Sequence, residues 1–422
     1  DIHVLHHQLE LIADDVGLGK TISAGLILSE LMVRKRVSRA LVICPSILGP
    51  QWIEELETKF GIFGRFATGG DLDRELHGQA DVVATTYNSI SPRLKHVEPA
   101  MFDMVILDEA HKLRNLHGTR NPPMMATRLR DALESRLFRY VLMLTATPIQ
   151  NRLWDLYSLV DCLAVAKGHR NPFGTPEQFR RKYISDTATV ARKLNPAAQG
   201  DFQKILQQYL VRTRRGDVKL AFPKREVRLF RRDAGDLELK LQRLVTERID
   251  RLSGLQQISL LMAMMSSPHA LVAQLKNMGK KDASWSTLAA EVKNLIDTCG
   301  QPAKVKGLFD VIDDLRERRP EDWRLVVFTT RKETQKLIGE ELTRQGIPFG
   351  NIQGGSPREN LATVKQFRAD PPQIHVVVST DAGAEGVNLQ AGNVVVNFDL
   401  PWNPMIVEQR IGRVQRLASK HG

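Results

Sequence analysis

The chain has 422 residues, 42% hydrophobic and 26% charged, a balance that excludes a wholly disordered, collagenous or low-complexity protein. Its 60 Lys and Arg outnumber its 48 Asp and Glu, and the net charge of +12 favours a polyanionic partner such as nucleic acid. The three cysteines, Cys44, Cys162 and Cys299, lie far apart, which argues against a disulfide scaffold or cysteine zinc site and fits a reducing, cytoplasmic compartment.

The apolar runs are strand-sized, and none approaches the roughly 20 residues that a bilayer-spanning helix needs. We therefore expect no membrane association, and a location in the cytoplasm that is nucleoid-associated in a bacterium. Because the chain begins at Asp1, a dozen residues before its first motif, we expect a fragment of a longer protein. Missing flanking domains would then carry contacts to protein partners.

Short apolar or β-branched runs alternate with helical patterns in the first half of the chain. The predicted strands are 11–13, 40–43, 81–84, 104–107 and 140–144. Helical spacing covers residues 21–33 and 51–59 between them. This alternation predicts a parallel sheet with helices on both faces.

The second half repeats the alternation after a long stretch with little strand signal. Its predicted strands are 325–328, 375–378 and 394–396, and its predicted helices are 332–345 and 359–368. Residues 242–278 are rich in Leu, Met, Gln and Ala at helical spacing. We predict an α/β protein of two parallel-sheet lobes. The predicted lobes are 1–222 and 223–422, with helical insertions at about 151–210 and 235–300.

The segment IADDVGLGKT, residues 12–21, follows a predicted strand and opens a predicted helix. This is the context of a phosphate-binding loop, in which amides at a helix N-terminus bind phosphate oxygens. Lys20 is predicted to meet the β- and γ-phosphates of ATP, and Thr21 to ligate Mg²⁺. Asp14 stands where the strict phosphate-loop pattern has glycine. The residues predicted to bind the nucleotide here are Gly17, Leu18, Gly19, Lys20 and Thr21.

The acidic pair Asp108-Glu109 opens the segment DEAH and directly follows a purely apolar predicted strand. A strand-end aspartate can hold Mg²⁺ through water, and the adjacent glutamate can orient and deprotonate an attacking water. Both lie at the carboxyl edge of the strand, where α/β sheets place ligands. We predict Asp108 as a metal ligand with Thr21, and Asp108 and Glu109 as catalytic residues with Lys20. Hydroxyls of the later segment TATP, residues 145–148, could hydrogen-bond this pair, the alternative being a plain turn that contains proline.

Near the end of the chain, Arg410, Arg413 and Arg416 recur every three residues on a predicted helix, 405–420. A guanidinium from the second lobe can reach the γ-phosphate and stabilise its transition-state charge. The alternative is a solvated basic helix face.

This ordered set of motifs resembles the Swi/Snf-type translocases, helicase-like ATPases of the second helicase superfamily. The segments that carry the resemblance are GLGKT (17–21), LVICPS (41–46), ATTY (84–87), DEAHKLRN (108–115), TATPIQN (145–151), VVFTT (326–330), STDAGAEGVNLQ (379–390) and the arginine helix. The forms IADDVGLGKT, AGAEGVNLQ and NFDLPWNP are similar to those of bacterial members. Among these are the RNA-polymerase-associated ATPase and the ATPases of phage-defence systems.

The resemblance implies two RecA-like lobes, ATP and Mg²⁺ as ligands, and translocation along double-stranded DNA. It implies Gln409 as a sensor of the γ-phosphate, Arg413 and Arg416 as arginine fingers, and Gly386 in nucleotide binding. The residues that it implies grip the nucleic-acid backbone are Ser46, Thr85, Thr86, Thr329, Ser379 and Thr380. Each of these hydroxyls is also of a kind that caps a helix or turn.

The positive charge is concentrated in two windows, residues 204–232 with ten basic and two acidic residues, and 111–139 with seven and two. We hypothesise that they flank a nucleic-acid track, the alternative being a solvated linker and a solvated helix. The sequence thus predicts a DNA-dependent ATPase, with duplex DNA favoured over RNA. Two alternatives remain: an ATP-dependent RNA helicase, and a nucleotide-dependent switch or scaffold subunit of a defence or transcription complex.

Overall fold

The computed structural model describes residues 9–15, 17–149, 152–187, 190–217, 225–381 and 387–415. The chain separates into two compact units, Asp1–Ala221 (unit 1) and Phe222–Gly422 (unit 2). Each unit contains its own parallel β-sheet, so the predicted α/β class with two parallel-sheet lobes is confirmed. Within the described ranges no helix is long and apolar enough to cross a membrane.

Unit 1 is built on a parallel sheet that contains every strand predicted for this part of the chain. Among its described residues the strands are β1 (Leu9–Ile12), β2 (Ala40–Cys44), β3 (Gly64–Phe66), β4 (Val82–Thr86), β5 (Met104–Asp108), β6 (Tyr140–Leu144) and β7 (Leu210–Val211). They lie side by side in the order β3-β4-β2-β5-β6-β1-β7. Since β5, β6 and β1 are neighbours and pair in parallel, their carboxyl ends share one edge of the sheet.

Helices cover both faces of this sheet. They are α1 (Lys20–Val33), α2 (Gly49–Phe60), α3 (Gly70–Leu76), α4 (Tyr87–Ile90), α5 (Met124–Glu134), α6 (Leu153–Ala166), α7 (Pro176–Tyr183) and α8 (Gln199–Leu206), with 3-10 turns at Ser91–His96, Ala110–Leu116, Pro196–Ala198 and Arg215–Asp217. Strand side chains alternate between two cores: Leu41 and Ile43 enter one, and Val42 and Cys44 the other. Helix α6, in the stretch predicted as an insertion, is buried along its whole length.

Unit 2 contains a smaller parallel sheet and a separate helical cluster. Its described strands are β8 (Leu325–Thr329), β9 (Phe349–Ile352), β10 (Val376–Thr380) and β11 (Val394–Asn397), in the order β11-β8-β10-β9. Its described helices are α9 (Asp236–Ile249), α10 (Gly254–Ser266), α11 (Pro268–Gly279), α12 (Ala283–Cys299), α13 (Ala303–Arg318), α14 (Lys332–Arg344), α15 (Pro357–Arg368) and α16 (Pro404–Val414). The predicted helical stretch 242–278 is broken into separate helices.

The break between α10 and α11 falls at Ser267, whose backbone is extended and whose hydroxyl accepts the amide of Ala270 as a helix cap. Helices α9 to α12 enclose a core of their own, which includes Leu241, Leu271 and Val292. The cluster is therefore a packed helical body within unit 2.

Three short strands, β3, β7 and β9, were not predicted from the sequence. β3 has three residues and β7 two, below the roughly 4–8 residues that periodicity needs. β9 contains Gly350 and Asn351, residue types depleted in strands. Pairing with a neighbour, β1 for β7 and β10 for β9, places these segments in the sheets.

The buried carboxylate of Asp399 joins the helical cluster to the sheet of unit 2. Its Oδ2 accepts the hydroxyls of Ser266 and Thr329, both at 2.7 Å, and the amide of Thr330 at 3.0 Å. Its Oδ1 accepts the ammonium of Lys304 at 2.8 Å. Burial acts to raise the pKa of this carboxyl, but Lys304 and the hydrogen bonds outweigh burial and hold the pKa below its ordinary value.

We predict that Asp399→Asn lowers the free energy of unfolding by about 1.5–3 kcal/mol, because an amide cannot accept from both Lys304 and the hydroxyls. The folded-state pKa of Asp399 lies below the unfolded value of about 4. The carboxylate's contribution is therefore complete above about pH 4 and is lost as the pH falls through the folded pKa. Urea unfolding of wild type and variant at pH 7 and at pH 3 measures both effects.

The control is Asp313→Asn, an exposed aspartate on α13, which should change the unfolding free energy by less than about 0.5 kcal/mol. Equal urea midpoints for the wild type and Asp399→Asn at pH 7 would contradict the prediction.

Candidate active site

The loop between β1 and α1 has the backbone conformation of a phosphate cradle. Gly17 and Gly19 have φ angles of 89° and 82°, which side-chain-bearing residues seldom adopt. The carbonyl of Gly19 accepts the amides of Ile22 and Ser23 at 2.8 and 3.0 Å, which starts the helix. The amides at the very start of a helix have no carbonyl one turn earlier, and such groups bind anions. The predicted loop residue Leu18 is half-buried, and its amide donates to Asp15 at 3.3 Å.

Lys20 is the first residue of α1 and folds back over the loop. Its ammonium donates to the carbonyl of Asp14 at 3.0 Å. Its positive charge also acts to lower the pKa of Asp108. Lys20 and Asp108, predicted from two separate motifs, therefore lie within electrostatic reach of one another in unit 1. Thr21, the predicted metal ligand, follows Lys20 and is half-buried.

Asp108 ends β5 with its carboxylate buried and held on both oxygens. The indole of Trp52 donates to Oδ2 at 2.9 Å and the amide of Glu109 donates to Oδ1 at 2.9 Å. The hydroxyl of Tyr87 donates to the carbonyl of Asp108 at 2.8 Å. Burial first, and then the charge of Glu109, raise the pKa of Asp108 to about 6 against the opposing effects of Trp52 and Lys20.

Glu109 occupies a left-handed backbone conformation, with φ of 53°, that is uncommon for a residue with a side chain. Its Oε2 lies 3.1 Å from Nδ1 of His111. The same nitrogen lies 3.4 Å from the hydroxyl oxygen of Thr145, which accepts the amide of Thr147 at 3.2 Å. The contact that the structure describes between the acidic motif and the TATP segment therefore runs through His111. Backbone strain of this kind is concentrated at functional sites.

In unit 2 the arginine motif lies on α16, and Arg410 is only 2% exposed. Its guanidinium donates to the carboxylate of Asp381 at 2.7 Å, to the side chain of Asn397 at 3.0 Å and to the carbonyl of Asp399 at 2.6 Å. Arg410 thus fastens α16 to the residues that follow β10 and to the end of β11.

The other residues predicted on this helix have different surroundings. Gln409 is half-buried, and Arg413 is 8% exposed, with its carbonyl accepting the amide of Leu389 at 3.1 Å. The helix ends at Val414, short of the predicted 405–420, because Gln415 has a non-helical ψ of 93°. Arg416 and Gly386 lie outside the described residues.

The hydroxyl residues predicted to grip a nucleic-acid backbone lie at or just beyond the ends of parallel strands. They are Ser46, Thr85, Thr86, Thr329, Ser379 and Thr380. Ser46 is exposed and Thr86 half-buried, whereas the other four are buried. Thr86 caps α4 by accepting the amide of Ser89 at 3.1 Å, and the hydroxyl of Thr329 donates to Asp399. Contact between these residues and nucleic acid stays a prediction.

Trp52 and Tyr87, which hold Asp108, were not predicted as site residues. Trp52 lies within the predicted helix 51–59. The one available signal is its residue type, because a tryptophan that is buried normally finds a partner for its indole N–H. Tyr87 ends the segment ATTY. Both contacts join residues far apart in sequence, so spacing does not reveal them.

The residues present fit a nucleotide with Mg²⁺. The loop has the glycine conformations of a phosphate cradle, and Asp108 presents an oriented oxygen ligand, the type that Mg²⁺ prefers. Among the described residues there is no group of three or more His, Cys, Asp or Glu side chains that could hold a metal. Such an ion would therefore need phosphate and water oxygens in addition to Thr21 and Asp108.

Comparisons with known proteins agree with these motifs. The SNF2-related domain family matches residues 6–278, and the helicase conserved C-terminal domain matches residues 304–418. The uncharacterized ATP-dependent helicase YqhH of Bacillus subtilis is 30% identical over 99% of this chain and 73% of its own length. The RNA polymerase-associated protein RapA of Vibrio campbellii is 25% identical over 98% of this chain. A solved Sulfolobus solfataricus SWI2/SNF2 ATPase core in complex with dsDNA has 21% identity and a TM-score of 0.43, covering 99% of this chain and 83% of that one.

The chain spans 73% of the length of YqhH but only 45% of the length of RapA. The SNF2-related match alone covers well over half of this chain, and the second match covers most of the remainder. The family predicted from the motifs is confirmed: the chain belongs to the SNF2-related family of helicase-like ATPases.

Proposed function

We propose that this protein is a translocase that couples ATP hydrolysis to movement along double-stranded DNA or to remodelling of protein–DNA complexes. One observation carries the ATPase part of the proposal. In unit 1 the phosphate loop and the acidic pair meet at one sheet edge, close enough for the charge of Lys20 to act on Asp108. The family supplies ATP hydrolysis as the chemistry, and duplex DNA is the substrate that we infer.

Each residue at this edge has a task in ATP hydrolysis. The loop amides and Lys20 would bind the phosphates, with Lys20 exchanging the Asp14 carbonyl for a phosphate oxygen. Thr21 and Asp108 would hold Mg²⁺, which neutralises charge on the phosphate oxygens when bound. Glu109 would accept a proton from the attacking water, with His111 beside its carboxylate to orient it.

In unit 2, Arg413 and Arg416 are proposed to stabilise the negative charge of the transferring phosphoryl group, and Gln409 to sense the γ-phosphate, as the resemblance implies. Arg410 has a different task, because its guanidinium is occupied by Asp381, Asn397 and Asp399. It would keep the helix in place while its neighbours act.

The inference of DNA binding rests on family membership and on the net charge of +12. Within the window 204–232, several basic side chains form ion pairs with carboxylates of their own unit. The pairs are Arg212 with Asp15, Arg225 with Glu408, Arg228 with Glu226 and Arg232 with Asp310. Lys204, Arg214 and Arg231 are exposed. The paired arginines are exposed as well, and exposed ion pairs are weak, so these side chains stay available to a phosphate backbone. Residues 218–224 lie outside the described ranges.

The proposal predicts that duplex DNA stimulates phosphate release more strongly than single-stranded DNA or RNA. Displacement of a third strand from a DNA triplex measures the accompanying movement. Stronger stimulation by RNA would favour the RNA-helicase alternative. Nucleotide binding without any phosphate release would favour the switch or scaffold alternative.

Glu109→Gln is predicted to lower kcat for ATP by at least about 100-fold, because the amide cannot accept the proton of the attacking water. ATP binding should change by less than about threefold, since Glu109 acts on water and not on the phosphates. Phosphate release and binding of a fluorescent ATP analogue measure the two effects. Glu57→Gln, at an exposed glutamate of α2, is the control with wild-type rates. Near-normal turnover by Glu109→Gln would refute the assignment.

Trp52→Phe is predicted to weaken the apparent Mg²⁺ affinity of the ATPase by about 10–100-fold, because the carboxylate of Asp108 loses the donor that orients it. A Mg²⁺ titration of the ATPase rate at saturating ATP measures this change. Trp154→Phe is the matched control, since Trp154 is also buried in unit 1 but packs among aromatic rings of α6 and α7. Equal Mg²⁺ curves for the two variants would count against the role of Trp52.

A further inference from the structure

Asp14 is the one position of the phosphate loop that departs from the strict pattern, and its side chain is buried. Its Oδ1 accepts the backbone amide of Thr213 at 2.8 Å. Its carbonyl oxygen accepts the ammonium of Lys20 at 3.0 Å. Asp14 thus links the lysine of the phosphate loop to a segment 199 residues away in the sequence.

That segment, Leu210 to Thr213, is here named the strap. Its first two residues form β7, which pairs in parallel with β1 at the margin of the sheet. The backbone ladder continues beyond the strands: the amide of Ala13 donates to Val211 at 2.8 Å, and the amide of Asp15 donates to Thr213 at 3.1 Å. The strap therefore accompanies the chain into the phosphate loop.

The Asp14 carboxylate completes this ladder where the chain leaves the strand. In a regular parallel ladder the amide of Thr213 would donate to the carbonyl of Ala13. Here the amide of Thr213 donates to the Asp14 side chain instead. The backbone of the loop can therefore turn away from the strap, while the side chain keeps the loop attached to it. Glycine at this position would supply no acceptor and would add backbone freedom to the loop.

We propose that Asp14 is a positioning residue that fastens the phosphate loop to the strap. It thereby fixes the position of its own carbonyl, which holds the ammonium of Lys20 before the nucleotide binds. The inference rests on the proposed ATPase function. Asp14→Gly should therefore impair the site, although it restores the strict glycine pattern. Nucleotide binding should weaken more than the chemical step, because the loop binds the phosphates in ground and transition states alike.

The test compares Asp14→Gly with Asp14→Asn. Asparagine keeps an Oδ1 acceptor for the Thr213 amide, so it should stay within about twofold of wild type in KM and kcat. Asp14→Gly should raise KM for ATP by about tenfold, the effect of losing one hydrogen bond to a charged group, with kcat within about threefold. Failure of Asp14→Asn to rescue KM would overturn the proposal.

Asp103→Gly is the matched control for lost stability. Its carboxylate also accepts a backbone amide, that of Ser38 at 2.7 Å, but Asp103 immediately precedes β5, at the opposite end of that strand from Asp108. We expect it to lower the melting temperature as Asp14→Gly does while leaving KM for ATP unchanged. A rise in KM in both variants would mean that Asp14 has only a structural role.

Hydrogen exchange of the Thr213 amide, measured without nucleotide, reports on the strap independently of hydrolysis. Exchange should be about tenfold faster in Asp14→Gly than in wild type or Asp14→Asn. If the wild type binds ATP without hydrolysing it, the proposed function fails. The role of Asp14 can still be tested in that case, by comparing the dissociation constants for ATP of the wild type, Asp14→Gly and Asp14→Asn. Unchanged Thr213 exchange in Asp14→Gly would refute the attachment itself.

Discussion

Parallel pairing of β1, β5 and β6 is the constraint on which the site in unit 1 depends. In a parallel sheet every carboxyl end points the same way, so the loops that follow these three strands meet at one edge. These strands supply buried side chains to the cores on both faces of the sheet, so they form a rigid support for the loops that follow them. The loops can therefore hold strained and charged residues, such as Glu109 with its positive φ, on a rigid support.

In both units, the buried charged side chains near strand ends have hydrogen-bond or ion-pair partners. A charge removed from water is stable only when hydrogen bonds or an opposite charge replace the lost solvent. Asp108 has the indole of Trp52. Asp399 has Lys304 and donors from three other residues at strand and helix ends, and Arg410 has Asp381. In unit 2 the last two networks meet, because the carbonyl of Asp399 accepts from Arg410. The helical cluster, the sheet and the arginine helix of unit 2 are thus joined through one residue.

Local sequence patterns predicted the strands and motifs whose residues are neighbours in the sequence. Apolar runs of four or more residues revealed the central strands, and the phosphate loop and acidic pair were visible because their residues are adjacent. Local patterns do not predict contacts between residues far apart in sequence, such as Trp52 with Asp108 or Ser266 with Asp399. Spacing also grouped Arg410 with Arg413 on one helix side, but only the fold shows that Arg410 is used to anchor the helix.

The strict phosphate-loop pattern and the aspartate at position 14 differ in what they require of the chain. A pattern records the local condition that no side chain obstructs the phosphates, and the positive φ angles of Gly17 and Gly19 meet that condition. Asp14 lies where the loop leaves β1, and its side chain is directed to the strap at the sheet margin. A side chain there does not violate the local condition, and it adds an attachment that glycine cannot make. A departure from a local motif is thus informative, because it indicates a residue whose partner lies elsewhere in the fold.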